Sequence, residues 1–283
     1  MVKLNDDPIQ ADDIKDFVNN TSDFGFELNI LSKLTSLNIE CQHSGSYSDP
    51  VTNKPRQFDI RSRMTRMKYT VKMAIECKNL RSNFPLLIMR IPRTENESFH
   101  EVIHSHRIDH GSPGRRLRIK GYHSLYSVGD YVGKSCSQVG RTTQNKDITG
   151  NDAEVYDKWS QAIHSSYDLV NDSCDDWRAT TTKNSYTLVL PVLVVPNNRL
   201  WIMDYSSDGK PQGDPREVDR ASIFIDQMIK TRKKAFGLSA TISHLEVMTE
   251  IGLFQFCESF FDGNLINKVF SEDGLEFAQL LES

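Results

Sequence analysis

Paired cysteines are missing from this chain. Cys41, Cys77, Cys136, Cys174 and Cys257 stand far apart with no CxxC pair among them. Such spacing argues against a zinc knuckle and fits reduced packing thiols of a cytosol better than a disulfide framework. Long apolar runs are missing as well. The longest, LVLPVLVVP at 188–196, is too short to span a bilayer, and MVKLNDDPIQ has no apolar signal core. The expectation is a cytoplasmic protein with no membrane partner. Nor is there an excess of positive charge: the net charge is −4, so any attraction to nucleic acid must come from a local basic surface. No repeat of fixed period and no long low-complexity segment is visible.

What is present suits a folded globular chain. The 283 residues suffice to bury a substantial core. No linker divides them, so 1–283 reads as a single domain. Asp7-Pro8 predicts a short helix to about Asn19, and Thr21 and Ser22 cap a second from about Asp23 to Leu37. The apolar stripe of that second helix reads Phe24, Leu28, Leu31, Leu34, with Glu27 inside or beside it. A carboxylate there needs a partner, because burying an unpaired charge costs several kcal/mol.

Strands are expected over 38–46, 57–64 and 69–79. On the third the period of two is plain. Val71, Met73, Ile75 and Cys77 face one way; Lys72, Ala74, Glu76 and Lys78 face the other. Glu76 and Lys78 therefore project from one face, roughly 7 Å apart by the usual rise per residue. After FPLLIMRIP, Thr94 and Glu97 predict a capping box opening a helix that carries HEVIHSHRIDH. A helix over 152–171 follows, with Val155, Trp159, Ala162, Ile163 and Leu169 as its apolar face. TLVLPVLVV reads as a buried strand, turning at Asn197-Asn198 into RLWIMDY as a hairpin. Ser243 and Glu246 open a helix toward Phe260, and a last helix lies near the terminus.

A helix with Glu27, a strand, a strand with Asp59 in RQFDI, a strand with Glu76 and Lys78 in IECKN, a helix and a buried strand: this order resembles the PD-(D/E)XK nuclease superfamily. The resemblance covers about 20–90 and 152–196. It implies an α/β restriction-endonuclease-like core with a mixed central sheet flanked by helices, leaving a basic insert at 111–146 and a mixed C-terminal extension at 206–283. It implies a DNA endonuclease with Asp59, Glu76 and Lys78 catalytic and with Glu27, Asp59 and Glu76 holding the metal, set in bacterial defence or DNA processing. A homodimer or a partner subunit of a defence complex is compatible with it. No Pro precedes Asp59. Asp49, in SDP, is a second candidate acid, placed in a turn.

The chemistry needs these residue types. Phosphodiester hydrolysis requires charge neutralisation on the phosphoryl oxygens and an activated water. Carboxylates hold Mg²⁺, with Mn²⁺ as substitute, and a lysine beside them can orient the water or stabilise developing charge.

Two alternatives stand beside this reading. One is a catalytically silent nucleic-acid-binding subunit of the same fold. The other is a zinc metallopeptidase, since His100, Glu101, His104 and His110 fit HExxHxxxxxH, with Met203 and Tyr205 imitating a later methionine turn. Arg107 stands where that pattern has its turning glycine. GDYVGKS at 129–135 has one residue too few between its glycines for a phosphate-binding loop. The basic stretch offers Arg115, Arg116, Lys134 and Arg141 as phosphate contacts for DNA. Gln161 and Tyr167 could face the site from the following helix.

Overall fold

The computed structural model describes residues 7–106, 115–144, 146–151, 153–174, 176, 184–230 and 239–281. Helix α1 (Ala11–Asn20) opens on a capping box in which the Gln10 N–H donates to Asp13 Oδ2 at 2.8 Å. Helix α2 (Phe24–Ser36) is rotated from the expected stripe. It buries Glu27, Ile30 and Leu34, while Phe24 and Leu28 are exposed. The acid therefore lies on the inward face, and two of the stripe's hydrophobes lie outside it.

Strand β1 (Glu40–His43) is followed by a separate two-stranded ribbon of β2 (Ser46–Ser48) and β3 (Pro55–Gln57). Then come β4 (Ile60–Arg66) and β5 (Tyr69–Cys77), paired antiparallel. Every residue of β5 after Tyr69 is buried, so both of its faces are covered. Val71, Met73, Ile75 and Cys77 pack in one core with Ile30 and Leu34 of α2; Ala74 packs in another with Leu169 and Val170.

Strands β6 (Leu86–Pro92), β7 (Phe99–His106), β8 (Arg115–Lys120), β9 (Tyr131–Arg141) and β10 (Ile148–Asn151) precede helix α3 (Ala153–Ser173). The basic stretch is thus no appended insert, because β8, β9 and β10 all belong to the main sheet. Strand β11 (Asn184–Val195) runs parallel to β5 along nine residue pairs, the arrangement of a doubly covered central strand.

The expected hairpin at Asn197-Asn198 does not form. Asn198 makes a turn with φ of 61°, but β12 (Leu200–Tyr205) crosses away to lie parallel to β6 and antiparallel to β13 (Pro211–Glu217). The helix expected from Ser243 is also a strand. Strand β14 (Arg220–Lys230) pairs antiparallel with β15 (Ser239–Thr249), and helix α4 (Glu250–Phe261) begins where the Thr249 hydroxyl accepts from the Gly252 N–H. The short helix α5 (Asn264–Val269) and helix α6 (Glu272–Leu281) end the described chain.

Among the described residues the main sheet has thirteen strands, along a path β1-β4-β5-β11-β15-β14-β9-β6-β12-β13. It mixes parallel and antiparallel pairs and has helices on both faces, as the α/β reading expects. No helix is long and apolar enough to cross a membrane among the described residues.

The expected helix over HEVIHSH is strand β7, and this is the largest correction. Thr94 and Glu97 do form the capping box, but it closes a single helical turn at Glu95–Glu97. β7 is then held on both sides, by β11 and by β8. Two ladders of backbone hydrogen bonds outweigh a local helix start.

Candidate active site

Three carboxylates far apart in sequence meet at one end of β4 and β5. Asp59 immediately precedes β4, and the pairing of Ile60 with Ile75 brings it beside Glu76. The Cys77 N–H donates to Asp59 Oδ2 at 2.8 Å, and the Asp59 N–H lies 3.4 Å from Glu76 Oε1. Glu27 joins them through the end of β1. His43 Nε2 is 2.6 Å from Glu27 Oε1, and Ser44 ties the same corner to β4 through its N–H to the Asp59 carbonyl, 3.0 Å.

The electrostatics follow from burial and crowding. Glu76 has 0% of its surface exposed. Burial first, and the neighbouring Asp59 second, push its pKa well above the ordinary 4.5, with Lys158 opposing. Glu27 is raised for the same two reasons, opposed by His43 and Lys158. Both glutamates are drawn toward the protonated form chiefly because they are buried, with the Asp59 charge adding to it.

Lys158, unforeseen in the sequence, supplies part of the neutralisation. Its Nζ lies 2.9 Å from Asp59 Oδ2 and 3.5 Å from Glu76 Oε2. Burial would lower its pKa, yet the two carboxylates outweigh that and raise it. A signal existed: on α3, Lys158 lies three residues after buried Val155 and four before buried Ala162, so it shares the inward face.

Lys78 is at the site but not on Asp59 and Glu76. Just past β5, its N–H donates to the Val194 carbonyl, and its Nζ is 3.5 Å from Asp23 Oδ2 and 3.3 Å from Glu154 Oε2. Asp23 also accepts the Asn79 N–H at 2.8 Å, joining the start of α2 to the end of β5. Asp23, His43, Glu154 and Lys158 are the residues that sequence reasoning missed.

Asp49 is a structural acid. Its Oδ1 accepts the N–H groups of Val51 and Thr52, both at 2.9 Å, and its Oδ2 meets Arg56 at 2.8 Å and His164 at 3.3 Å. Burial alone would raise its pKa, but these backbone donors and His164 hold it down to about 2. Gln161 offers only its carbonyl, 3.5 Å from the Tyr47 hydroxyl; Tyr167 points to β14, where its hydroxyl meets Gln227 at 3.1 Å.

The donor chemistry fits a hard divalent cation, since three carboxylates converge in a largely buried corner. The coordination shell is not preformed, however. No group of three His, Cys, Asp or Glu side chains is already placed to hold a metal among the described residues, and the Lys158 ammonium bridges Asp59 and Glu76.

Of the basic candidates, only Arg141 lines a cavity with Lys78. Arg116 lies 3.8 Å from Glu101, Lys134 is paired with Glu97, and Arg115 is at the start of β8. On β7 the HExxH residues separate: Glu101 faces away from His100, and His100 and His104 share a face but lie about 13 Å apart along the strand by the usual rise per residue. The His100 Nε2 donates to the Val269 carbonyl at 2.9 Å and Nδ1 accepts the Leu125 N–H at 3.0 Å, the pattern of a neutral, fully used imidazole. Glu101 is held by Arg118 at 2.8 Å, and His104 stacks on Tyr186. His110 lies outside the described residues. The two histidines one helical turn apart that a zinc site of this kind requires are not present on β7.

Comparison of the chain with protein-family models, with curated proteins and with solved structures finds no match.

Proposed function

We propose that this chain is a metal-dependent DNA endonuclease with a restriction-endonuclease-like core, in which Asp59, Glu76 and Lys78 form the reactive centre. The observation that carries the reading is the convergence of Glu27, Asp59 and Glu76 with two lysines at one end of a central strand. The order of α2, β1, β4, β5, α3 and β11 supports it. When bound, Mg²⁺ or Mn²⁺ would be held by Glu27, Asp59 and Glu76 and would supply charge neutralisation at the phosphoryl oxygens.

The chain's own residues do the rest. Asp59 is oriented by the Cys77 N–H, which keeps its carboxylate fixed at the strand end. In this reading Lys78, tethered between Asp23 and Glu154, holds the attacking water and stabilises charge on the phosphate. Hydrolysis adds one water across the P–O bond: the hydroxyl goes to phosphorus and the proton to the leaving oxygen. His43 keeps Glu27 oriented.

Lys158 favours a second reading. An ammonium bridging Asp59 and Glu76 can replace a metal permanently, which would leave a nucleic-acid-binding subunit that does not cut. Supercoiled plasmid incubated with Mg²⁺ or Mn²⁺, against a casein control with Zn²⁺, tests both. Nicking or linearisation that EDTA stops is the expected result. DNA binding with no cleavage under either cation would replace the nuclease reading by the second one.

A further inference from the structure

On the other face of the sheet from Glu76, a guanidinium is buried without a counter-charge. Arg93, just past β6, is 4% exposed and has no carboxylate in ion-pair contact among the described residues. Its Nη1 donates to the Ser127 carbonyl at 3.3 Å and its Nη2 to the Ser222 hydroxyl oxygen at 2.8 Å, both uncharged. The Tyr126 ring lies 5.3 Å away, which supplies a quadrupole and no charge. Burial pulls the Arg93 pKa down, although Tyr126, Asp130, Glu246 and Glu97 oppose it from a distance. Of those acids, Glu246 is taken by Arg220 at 2.7 and 3.1 Å and Glu97 by Lys134, while Asp130 is exposed. A buried charge left without compensation is costly, so its persistence calls for an anion from outside the chain.

A cavity of about 190 Å³ lies against it, with Arg90, Arg93, Arg220 and Lys268 in its walls and Asp130 as the one carboxylate. Arg90 is neutralised by Asp204 at 2.7 and 2.9 Å. Lys268 is exposed and in no ion pair among the described residues, and the Arg220 side chain keeps 36% of its surface exposed. The GDYVGKS segment builds this place, though not as a phosphate-binding loop. The Asp130 carbonyl accepts the Arg93 N–H at 2.8 Å, and Gly133 pairs with Arg90. A Cβ at Gly133 would come within 2.9 Å of Ile223, so glycine lets β6, β9 and β14 close here. The face follows from register. Glu76 pairs with Leu193 and Leu193 with Val247, so Glu246, the next residue on β15, and its partner Ser222 look to the opposite side.

The volume is below the roughly 300–1,000 Å³ of small-molecule sites, which leaves room for one oxyanion group and not for a whole nucleotide. A planar guanidinium fork and a flexible ammonium together suit a phosphate. We propose that this cavity binds a single phosphate group, contacted by Arg220 and Lys268 and attracted by the buried charge of Arg93. Arg93 acts through its field, not through its Nε, which is sealed. The inference stands apart from the carboxylate cluster and its nuclease reading. Free phosphate and the phosphate of a nucleic-acid strand share this chemistry, and the test separates them.

Inorganic phosphate is titrated into the full chain by calorimetry, in EDTA and with chloride matching the ionic strength. Wild-type protein is expected to bind it saturably, unlike the general stabilising action of phosphate salts through exclusion from the surface. Lys268→Ala should weaken binding about fivefold and Arg93→Gln about tenfold. Lys268→Ala changes an exposed side chain, so it carries the test if Arg93→Gln does not fold. A second arm measures the anisotropy of a fully paired DNA duplex with the same proteins. Duplex affinity that falls in Lys268→Ala, with a salt slope shallower by about one, assigns the site to a strand phosphate. Weakened phosphate binding with unchanged duplex affinity assigns it to free phosphate, and either result supports the site. Lys268→Ala binding both probes like the wild type, or a wild type that binds neither, would overturn the inference. Neither readout involves cleavage, so the nuclease reading is decided separately by the plasmid assay.

Discussion

Lys78 and Lys158 reach the same carboxylate cluster from different elements, and their surroundings assign them different work. Lys158 is held by Asp59 and Glu76, so its charge is committed to the cluster. Lys78 is held at the margin by Asp23 and Glu154, next to open space. Lys78→Ala should therefore lower plasmid cleavage at least a hundredfold, a loss of about 2.7 kcal/mol in transition-state stabilisation, with melting temperature little changed. Cleavage at the wild-type rate in the folded variant would remove Lys78 from the chemistry. Glu76 gives a pH prediction. Its folded pKa is raised above 4.5, so the stability linked to its proton is complete below that value and is lost as pH rises through the folded pKa. Glu76→Gln cannot lose a proton. In metal-free buffer its melting temperature should exceed that of the wild type by a margin that grows from pH 5 to pH 8; a constant or shrinking margin would mean that burial does not hold Glu76 toward its protonated form.

Among the elements, β7 shows how a local reading fails. The Thr94–Glu97 box and the histidine spacing both suit a helix, but two neighbouring strands claim the backbone. His100 is then a core residue, its pKa lowered to about 4 by burial. A depressed histidine stabilises the fold above its unfolded value near 6.5, and that stability is lost as pH falls toward 4. His100→Ala should cost about 2–4 kcal/mol through the emptied volume and the unpaired Leu125 N–H and Val269 carbonyl. It should also flatten the loss of stability between pH 6.5 and pH 4, measured by urea unfolding. His104→Ala, changing a side chain that stacks on Tyr186 and lies outside the carboxylate cluster, should leave cleavage within about threefold, below one kcal/mol of barrier.

For the whole molecule, metal binding and folding are linked through the same carboxylates. A cation that binds the folded site alone stabilises it by about 2.7 kcal/mol at one hundred times its dissociation constant. Protons compete at Glu27 and Glu76, whose pKa values are raised, so the Mg²⁺-induced rise in melting temperature should be larger at pH 8 than at pH 5.5. Lys158→Met, removing the bridging ammonium, should enlarge that rise further, because the cation then meets no competitor. No Mg²⁺ effect in either protein by differential scanning fluorimetry would exclude this metal site.

The sequence by itself determined which residues could be singled out by order along the chain and by strand alternation. Asp59 and Glu76 were legible through the resemblance of their order along the chain, and the pairing of β4 with β5 brings the two together; the expectation that Glu76 and Lys78 share a face came from strand alternation alone. Glu27 was legible as a carboxylate inside or beside the apolar stripe of its helix and in need of a partner, though nothing in the sequence showed that His43 is that partner. The tertiary structure alone decided that Lys158 bridges the acids, that His100 sits in a core, that β11 and β12 part company, and that Arg141 arrives beside Lys78 from β9. These depend on how a helix docks across a sheet and which strands pair at long range. Such choices are made by the burial of whole faces and the closing of backbone ladders, which no window of local sequence contains.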